Sequence, residues 1–160
     1  FDRTRTADAE LDRCRADYES AMAAVRPLLA GRKLMITTSN HDVDWLLETA
    51  FDAGMEVVRV GVMTYSQDGV HRTRYGDRVA AEVDYDPDRR AADIVDLRPD
   101  LVLANYQSPG LPTIAHYDTV PLCPDVGHLA GARLAGRWAR ILQAPLVEGW
   151  RSDEARLLGA

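Results

Sequence analysis

The chain has 160 residues, of which 46% are hydrophobic, and its formal net charge is −6. This length and apolar content suffice for one domain with a sizeable core. The negative charge argues against a nucleic-acid partner, which would require clustered lysine and arginine side chains. No apolar run is long enough to span a bilayer and no secretory signal is recognisable, so we expect no membrane partner and a cytoplasmic location.

The first half of the chain predicts parallel sheet structure. A helix is predicted over Ala7–Leu29, because apolar side chains recur there every three or four residues. A strand–loop–helix–strand unit follows, with strands at Lys33–Thr37 and Glu56–Val62 and a helix at Val43–Ala53. Two parallel strands need such a helical crossover, so this unit indicates the fold class.

The second half continues the alternation. The polar stretch Thr64–Arg78 is predicted to be a long surface loop, and Val79–Val83 is either an edge strand or part of that loop. The remaining predicted elements are a helix from Asp86 to Leu97, a strand at Asp100–Ala104, a short helical segment at Leu111–His116, a strand at Thr119–Cys123, a helix at Leu129–Leu142, and a tail from Pro145 with a short amphipathic segment. We expect Gly131 and Gly136 to let the last helix pack closely on the sheet.

The order of these elements predicts an α/β fold. We expect a three-layer, Rossmann-like domain whose mostly parallel sheet has four or five strands and helices on both faces. The chain divides into an N-terminal helix (1–30), a βαβ core (31–143) and a tail (144–160) within one domain. Because it begins with Phe1, we expect it to be a slice of a longer protein. Ligands of such sheets bind beyond the carboxyl ends of the strands.

The familiar nucleotide and hydrolase motifs are missing from the loops at those strand ends. Neither GxGxxG nor GxxxxGK[ST] follows the first strand, and no GxSxG occurs. Ser39 and Asn40 could bind an anion, but they are also ordinary helix caps. His41 beside them is either a ligand contact or an exposed turn residue.

Two further residues near the predicted strand ends carry metal-binding chemistry. Cys123 is either a small buried hydrophobic residue, which we favour, or a ligand contact. His128 either faces a ligand or begins the last helix. Cys14 and Cys123 lie in different elements and form no CxxC or cysteine–histidine motif. We therefore expect no metal site built by this chain alone, with Cys123 and His128 as the candidate contacts.

Three segments, in this order and with these gaps, resemble the nitrogenase component 1-type oxidoreductase family: GRKLMITTSNHDVDWLLETAFDAGMEVVRVGV, RPDLVLANYQSPGL and TVPLCPDVGHLAGARLAGRWARIL. The resemblance covers about residues 7–143. It implies a subunit with several Rossmann-like domains, a homologous second subunit, and electrons from an ATP-dependent iron–sulfur reductase. It also implies an iron–sulfur cluster or related metallocofactor in the full assembly, although none is evident in this chain.

The resemblance also bears on the site. Residues 39–42 stand where nitrogenase catalytic subunits have a glycine- and arginine-containing loop, and residues 106–108 stand where they have a lysine. These departures favour a reductase or a cofactor-assembly scaffold over a molybdenum–iron nitrogenase. On this interpretation the residues that bind a cofactor or substrate are Ser39, Asn40, His41, Gln107, Cys123 and His128.

Within that group we expect Cys123 or His128 to contact the cofactor and His41 to orient it. The sequence identifies no catalytic residue. The alternative is a non-catalytic Rossmann-like module that binds a small molecule or pairs subunits.

Overall fold

A computed structural model describes residues 3–40, 42–63, 73–105 and 111–146, with side chains from residue 6 onward. The helices are α1 (Arg3–Leu29), α2 (Asp44–Asp52), α3 (Arg90–Leu97) and α4 (Ala130–Gln143). The strands are β1 (Lys33–Thr38), β2 (Glu56–Val62), β3 (Ala81–Val83), β4 (Leu101–Ala104) and β5 (His116–Thr119), and a 3₁₀ turn at Pro87–Arg89 precedes α3. The part of the tail beyond residue 146 lies outside the described residues.

The five strands form one parallel sheet in the order β3-β2-β1-β4-β5. β1 lies at the centre and pairs with β2 on one side and with β4 on the other. All residues from Leu34 to Thr38 are buried, as expected for a parallel strand with both faces covered. The sheet confirms the predicted α/β class.

Alternate residues of β1 point to two separate hydrophobic clusters, because side chains alternate along a strand. Leu34 and Ile36 join the larger cluster, which includes Met22 of α1 and Trp138 of α4. Met35 points to the opposite face. There the smaller cluster consists of Met35, Met63, Tyr85, Ile94, Val102 and Ala115. Helices therefore cover both faces and produce the predicted three layers.

Gly131 and Gly136 of α4 have a different role from the one expected. Gly131 and Gly136 face neighbouring helices, not the sheet: a Cβ added at Gly131 would lie 3.1 Å from Thr49 Oγ1 of α2 and 3.3 Å from the Tyr18 hydroxyl oxygen of α1, and one added at Gly136 would lie 3.9 Å from Val25 of α1. The small residues thus let α1 approach α4 closely.

The predictions around β5 were wrong in position. Thr119–Cys123 is not a strand, and Leu111–His116 is not helical: a turn at residues 113–115 leads into β5 at His116–Thr119. Pro121 has no N–H to donate to a strand ladder, which favours an earlier end. The buried carboxylate of Asp118 is tolerated in β5 because Arg137 of α4 donates to it.

The long loop after β2 is partly described. Residues 64–72 lie outside the described part, whereas residues 73–80 pack against α2. Thr73 donates to Asp44, the backbone N–H of Arg74 donates to the same carboxylate at 3.1 Å, and the rings of Phe51 and Tyr75 lie 5.1 Å apart. β3 then forms the edge strand that the sequence left open. Across the described ranges, no helix combines the length and apolarity required to traverse a bilayer.

Gly61 gives a test of packing on the smaller-cluster face. An added Cβ would overlap the ring of Tyr85, with both Cδ atoms 2.8 Å away. We expect Gly61→Ala to lower the free energy of unfolding by about 1–3 kcal/mol, because that ring is buried and has no room to withdraw. Urea titration of the full chain measures this. Gly76→Ala is the matched control, since its Cβ would approach only the Thr73 carbonyl oxygen at 3.7 Å; equal stabilities of the two variants would contradict the packing argument.

Candidate functional site

The strand order creates a crevice between β1 and β4. The chain leaves β1 towards β2 on one side of the sheet and leaves β4 towards β5 on the other. The two loops therefore separate at the carboxyl ends of adjacent strands, which is where open α/β sheets bind their ligands. Thr38 ends β1 and Asn105 follows β4, so these residues border the crevice.

The side-chain oxygen of Asn105 joins the two strand ends. Oδ1 accepts hydrogen bonds from the Thr38 hydroxyl at 2.7 Å, from the backbone N–H of Ser39 at 2.6 Å, and from the Ser39 hydroxyl at 3.3 Å. The predicted site residue Ser39 therefore lies at the crevice. Its hydroxyl binds Asn105 and does not cap α2.

Asn40 connects the same loop to the chain after β5. Its backbone N–H donates to Thr38 Oγ1 at 2.9 Å, and its Nδ2 donates to the carbonyl oxygen of Pro121 at 3.2 Å. The expectation that Ser39 or Asn40 caps the helix was therefore wrong. The N-cap residue of α2 is Val43, which makes no side-chain capping bond. Ser39 and Asn40 instead bond to Asn105 after β4 and to Pro121 after β5.

Two of the predicted site residues cannot be placed. His41 and Gln107 lie outside the described residues. They come soon after β1 and β4 in the sequence, and their role at the crevice stays a prediction.

Cys123 and His128 lie on a neighbouring groove of about 1020 Å³. Its walls come from α1, α2, α4 and the segment between β5 and α4, including Leu11, Cys14, Trp45, Cys123, His128 and Arg133. Pro121 lies between the groove and the crevice. It lines the groove, and its carbonyl oxygen accepts a hydrogen bond from Asn40. The residues predicted from the sequence thus fall into two adjoining places.

The thiol of Cys123 is exposed, so the expectation of a small buried hydrophobic residue was wrong. The cause is the early end of β5, which leaves Cys123 in the connecting segment and not in the sheet. His128 Nε2 lies 3.7 Å from Asp17 Oδ2 of α1, and both side chains are substantially exposed. The imidazole therefore lies near α1 at the groove.

Polar contacts hold the groove walls in place. The Tyr18 hydroxyl donates to Asp52 Oδ2 at 2.6 Å, which ties α1 to α2, and burial together with this bond raises the pKa of Tyr18. Arg133 of α4 donates to Asp125 Oδ2 from both Nε and Nη2, at 2.9 and 2.6 Å. Both nitrogens donate to the same oxygen, and this exposed contact links the segment that carries Cys123 to the start of α4.

The described side chains do not fit a metal cluster held by this chain alone. Over residues 6–40, 42–63, 73–105 and 111–146, no group of three or more His, Cys, Asp or Glu side chains lies close enough to hold a metal ion. Cys123 and His128 could each contribute a single donor atom. Iron–sulfur clusters need about four such donors, so the remaining ligands would have to come from elsewhere.

The fold defines a Rossmann-like α/β domain with a crevice at the carboxyl ends of the strands of a parallel sheet. The family model of nitrogenase component 1 type oxidoreductases matches residues 2–143. The chain therefore belongs to that family, as its three ordered segments indicated. No curated protein matches the chain.

Sequence reasoning missed the residue on which the crevice depends. The sequence pattern gives Asn105 no role, although Gln107, two residues later, is among the predicted site residues. An asparagine directly after a buried strand is a usable signal, because its short amide can bind backbone groups of the neighbouring strand end. The partner, Ser39, is 66 residues away in the sequence, so local patterns alone do not reveal it.

The Arg133 contact gives a pH prediction. Hydrogen bonds from Arg133, and from the backbone N–H of Val126, hold the pKa of Asp125 below its ordinary 3.8. Any stability from this contact is present above the ordinary pKa and is lost as the pH falls through the lowered value. We expect Arg133→Gln to raise the pKa of Asp125 towards 3.8, measured by carboxyl ¹³C NMR titration. Arg140→Gln on the same helix is the control, and an Asp125 pKa that is unmoved by Arg133→Gln would refute the contact.

Proposed function

We propose that this chain is one domain of a nitrogenase-like component 1 subunit, either a reductase or a cofactor-assembly scaffold. In this proposal it binds a cofactor or substrate at the carboxyl ends of its strands. The observation that carries the proposal is the crevice between β1 and β4, which lies at the reversal of strand order. The family membership supports the oxidoreductase context.

The adjoining groove supports a ligand that extends beyond the crevice. Cys123 and His128 lie on the groove, Ser39 and Asn40 lie at the crevice, and Pro121 borders both. A ligand lying across both places would meet hydrogen-bonding groups at one end and a thiol and an imidazole at the other. This combination suits an organic substrate, or one face of a cofactor whose other contacts come from further domains.

The implied metallocofactor belongs to the full assembly in this proposal. Since the described residues offer at most isolated donors, we assign no cluster to this domain. A homologous second subunit would supply the opposite wall of the cleft, and an ATP-dependent iron–sulfur reductase would supply the electrons. Both partners follow from the family resemblance and remain proposals, as do the cytoplasmic location and the position of this domain within a longer subunit.

Anaerobic purification of the protein together with a homologous subunit tests the proposal. We expect stoichiometric iron and an EPR signal in the complex. His128→Gln, alone or with Cys123→Ala, should weaken cofactor retention about tenfold or more if these side chains contact it. His116→Gln is the matched control, because His116 is the first residue of β5 and lies at the amino-terminal end of the strands. A stable complex without iron or colour would contradict the redox assignment.

Exposed apolar side chains favour a second candidate function, subunit pairing. Leu122 is 90% exposed and Val126 is 83% exposed in the segment after β5, and Leu11 of α1, 55% exposed, lines the same groove as Val126. Clusters of exposed large apolar residues mark interaction surfaces more often than scattered ones do. Leu11, Leu122 and Val126, which we call the groove rim, therefore suit a contact face for a homologous subunit.

Leucine substitutions on α1 test the pairing candidate. We expect Leu11→Asp to weaken association with the homologous subunit by about tenfold, because a charge at the rim would lose its hydration on contact. Leu28→Asp is the control, since Leu28 is 42% exposed on the same helix but does not line the groove. Analytical ultracentrifugation measures both. If both substitutions weaken association equally, or if neither weakens it, the groove rim is excluded as the contact face.

A further inference from the structure

Helix α1 extends well past the helix on which it packs. A Cβ added at Gly131, the second residue of α4, would lie 3.3 Å from the Tyr18 hydroxyl oxygen, and one added at Gly136 would lie 3.9 Å from Val25. The two helices therefore run in the same direction, and Tyr18 is level with the start of α4. The part of α1 before Tyr18 projects beyond α4 over roughly 22 Å, at about 1.5 Å per residue.

We call residues 6–17 of this projection the overhang. All of its side chains are exposed except that of Cys14, which is half-buried. An isolated helix of about 12–15 residues is only marginally stable in water, and packing of an apolar face usually provides the missing stability. Leu11 and Cys14 form such a face, because they extend the side of α1 that carries Tyr18 at helical spacing. The overhang therefore presents an apolar stripe to the surroundings of the molecule.

The groove beside the overhang is open to a partner with an apolar side. Leu11 and Cys14 line this groove from α1, and Leu134 lines it from α4. The groove rim adds the highly exposed side chains of Leu122 and Val126. Exposed apolar residues that cluster in this way mark an interaction surface. A helix with an apolar stripe, such as the overhang itself, is a suitable occupant of a groove of this kind.

The overhang and α4 carry opposite charge. The overhang has two arginines but four carboxylates, which belong to Asp8, Glu10, Asp12 and Asp17. Helix α4 has no carboxylate, and the groove is lined by its three arginines, Arg133, Arg137 and Arg140. Asp125 and the buried Asp118 form ion pairs with the first two of these arginines, and Arg140 adds further positive charge to the same wall. This wall therefore favours an acidic helix over a basic one.

One molecule cannot bring its own overhang against its own α4. Asp17, the last residue of the overhang, lies level with the segment before α4, where its Oδ2 is 3.7 Å from His128 Nε2. Glu10 lies about two helical turns further from α4, and Asp8 lies further still. A second copy, in contrast, brings its overhang to the groove from outside. A two-fold axis then provides two equal contacts, because each copy carries both the helix and the groove.

We propose that two copies of this chain pair about a two-fold axis, each laying its overhang in the groove of the other. This inference rests on the pairing candidate, whose contact face is the groove rim, and names the partner as a second copy. The overhangs cross in antiparallel directions, because in a parallel pair the incoming helix would run into α4. Glu10 lies on the same side of α1 as Asp17, so it faces the start of the second copy's α4, near Arg133.

Analytical ultracentrifugation of the full chain under reducing conditions tests the inference. We expect a dimer that dissociates on dilution. Glu10→Arg and Arg133→Glu should each weaken association by about tenfold or more, since each places like charges together in both contacts. The fold should tolerate Arg133→Glu, because its ion pair with Asp125 is exposed. A chain that stays monomeric at all concentrations would overturn the inference.

Mixing the two variants provides the decisive control. In a mixed dimer one contact has both charges reversed and the other is the original pair, so we expect association to recover to within about threefold of the original. Asp88→Arg makes the same change of net charge as Glu10→Arg, but Asp88 is exposed in the 3₁₀ turn on the opposite face of the sheet. It should leave association unchanged. Absence of recovery in the mixture, or equal weakening by Asp88→Arg, would contradict the exchange of overhangs.

Hydrogen exchange at two protein concentrations provides an independent measurement. We expect the amides of residues 6–17 to become more protected as the concentration rises, because the second copy covers the overhang. Protection that does not depend on concentration would indicate cover from within the same chain and would overturn the inference. A chain that is monomeric alone but pairs with a homologous subunit would overturn it too and would leave the pairing candidate in place. The iron and EPR measurements decide the oxidoreductase proposal separately.

Discussion

The rest of the structure depends on one constraint: β1 is buried on both faces and paired along both edges. Every residue from Leu34 to Thr38 is buried, so each backbone N–H and C=O of the strand must find a partner within the protein. β2 and β4 supply those partners, and helices on both faces exclude water. The burial of β1 thus requires both neighbouring strands and both helical layers.

The crevice lies where β1 ends. Beyond Thr38 the hydrogen bonds between strands stop, so the polar groups of the loop after β1 must find other partners. Asn105 does so from the neighbouring strand, and Pro121 does so from the chain after β5. Three loops that are far apart in sequence are therefore joined by side-chain bonds at one edge of the sheet. These bonds hold the described parts of the loops close to the ends of the strands.

The central elements could be predicted from the sequence because their signals are local. Strands β1, β2 and β4 are short apolar runs, and α2 and α4 show helical periodicity with glycine or proline near their ends. β5 could not be predicted, since His116–Thr119 is polar and becomes a strand through its pairing with β4 and through the contact of Asp118 with Arg137. The link between Ser39 and Asn105 was missed for the same reason: it depends on which strands become neighbours.

The edges of the sheet have a consequence for solubility. Edge strands β3 and β5 are only three and four residues long, and they carry the charged residues Glu82 and Asp118. Short, charged edges offer little unpaired backbone to another chain, which protects a parallel sheet against strand-by-strand aggregation. Glu82 also forms ion pairs with Arg59 of β2 and with Arg89 of the 3₁₀ turn. Self-association through the sheet is thereby disfavoured, and contacts between molecules are directed to the helices and loops.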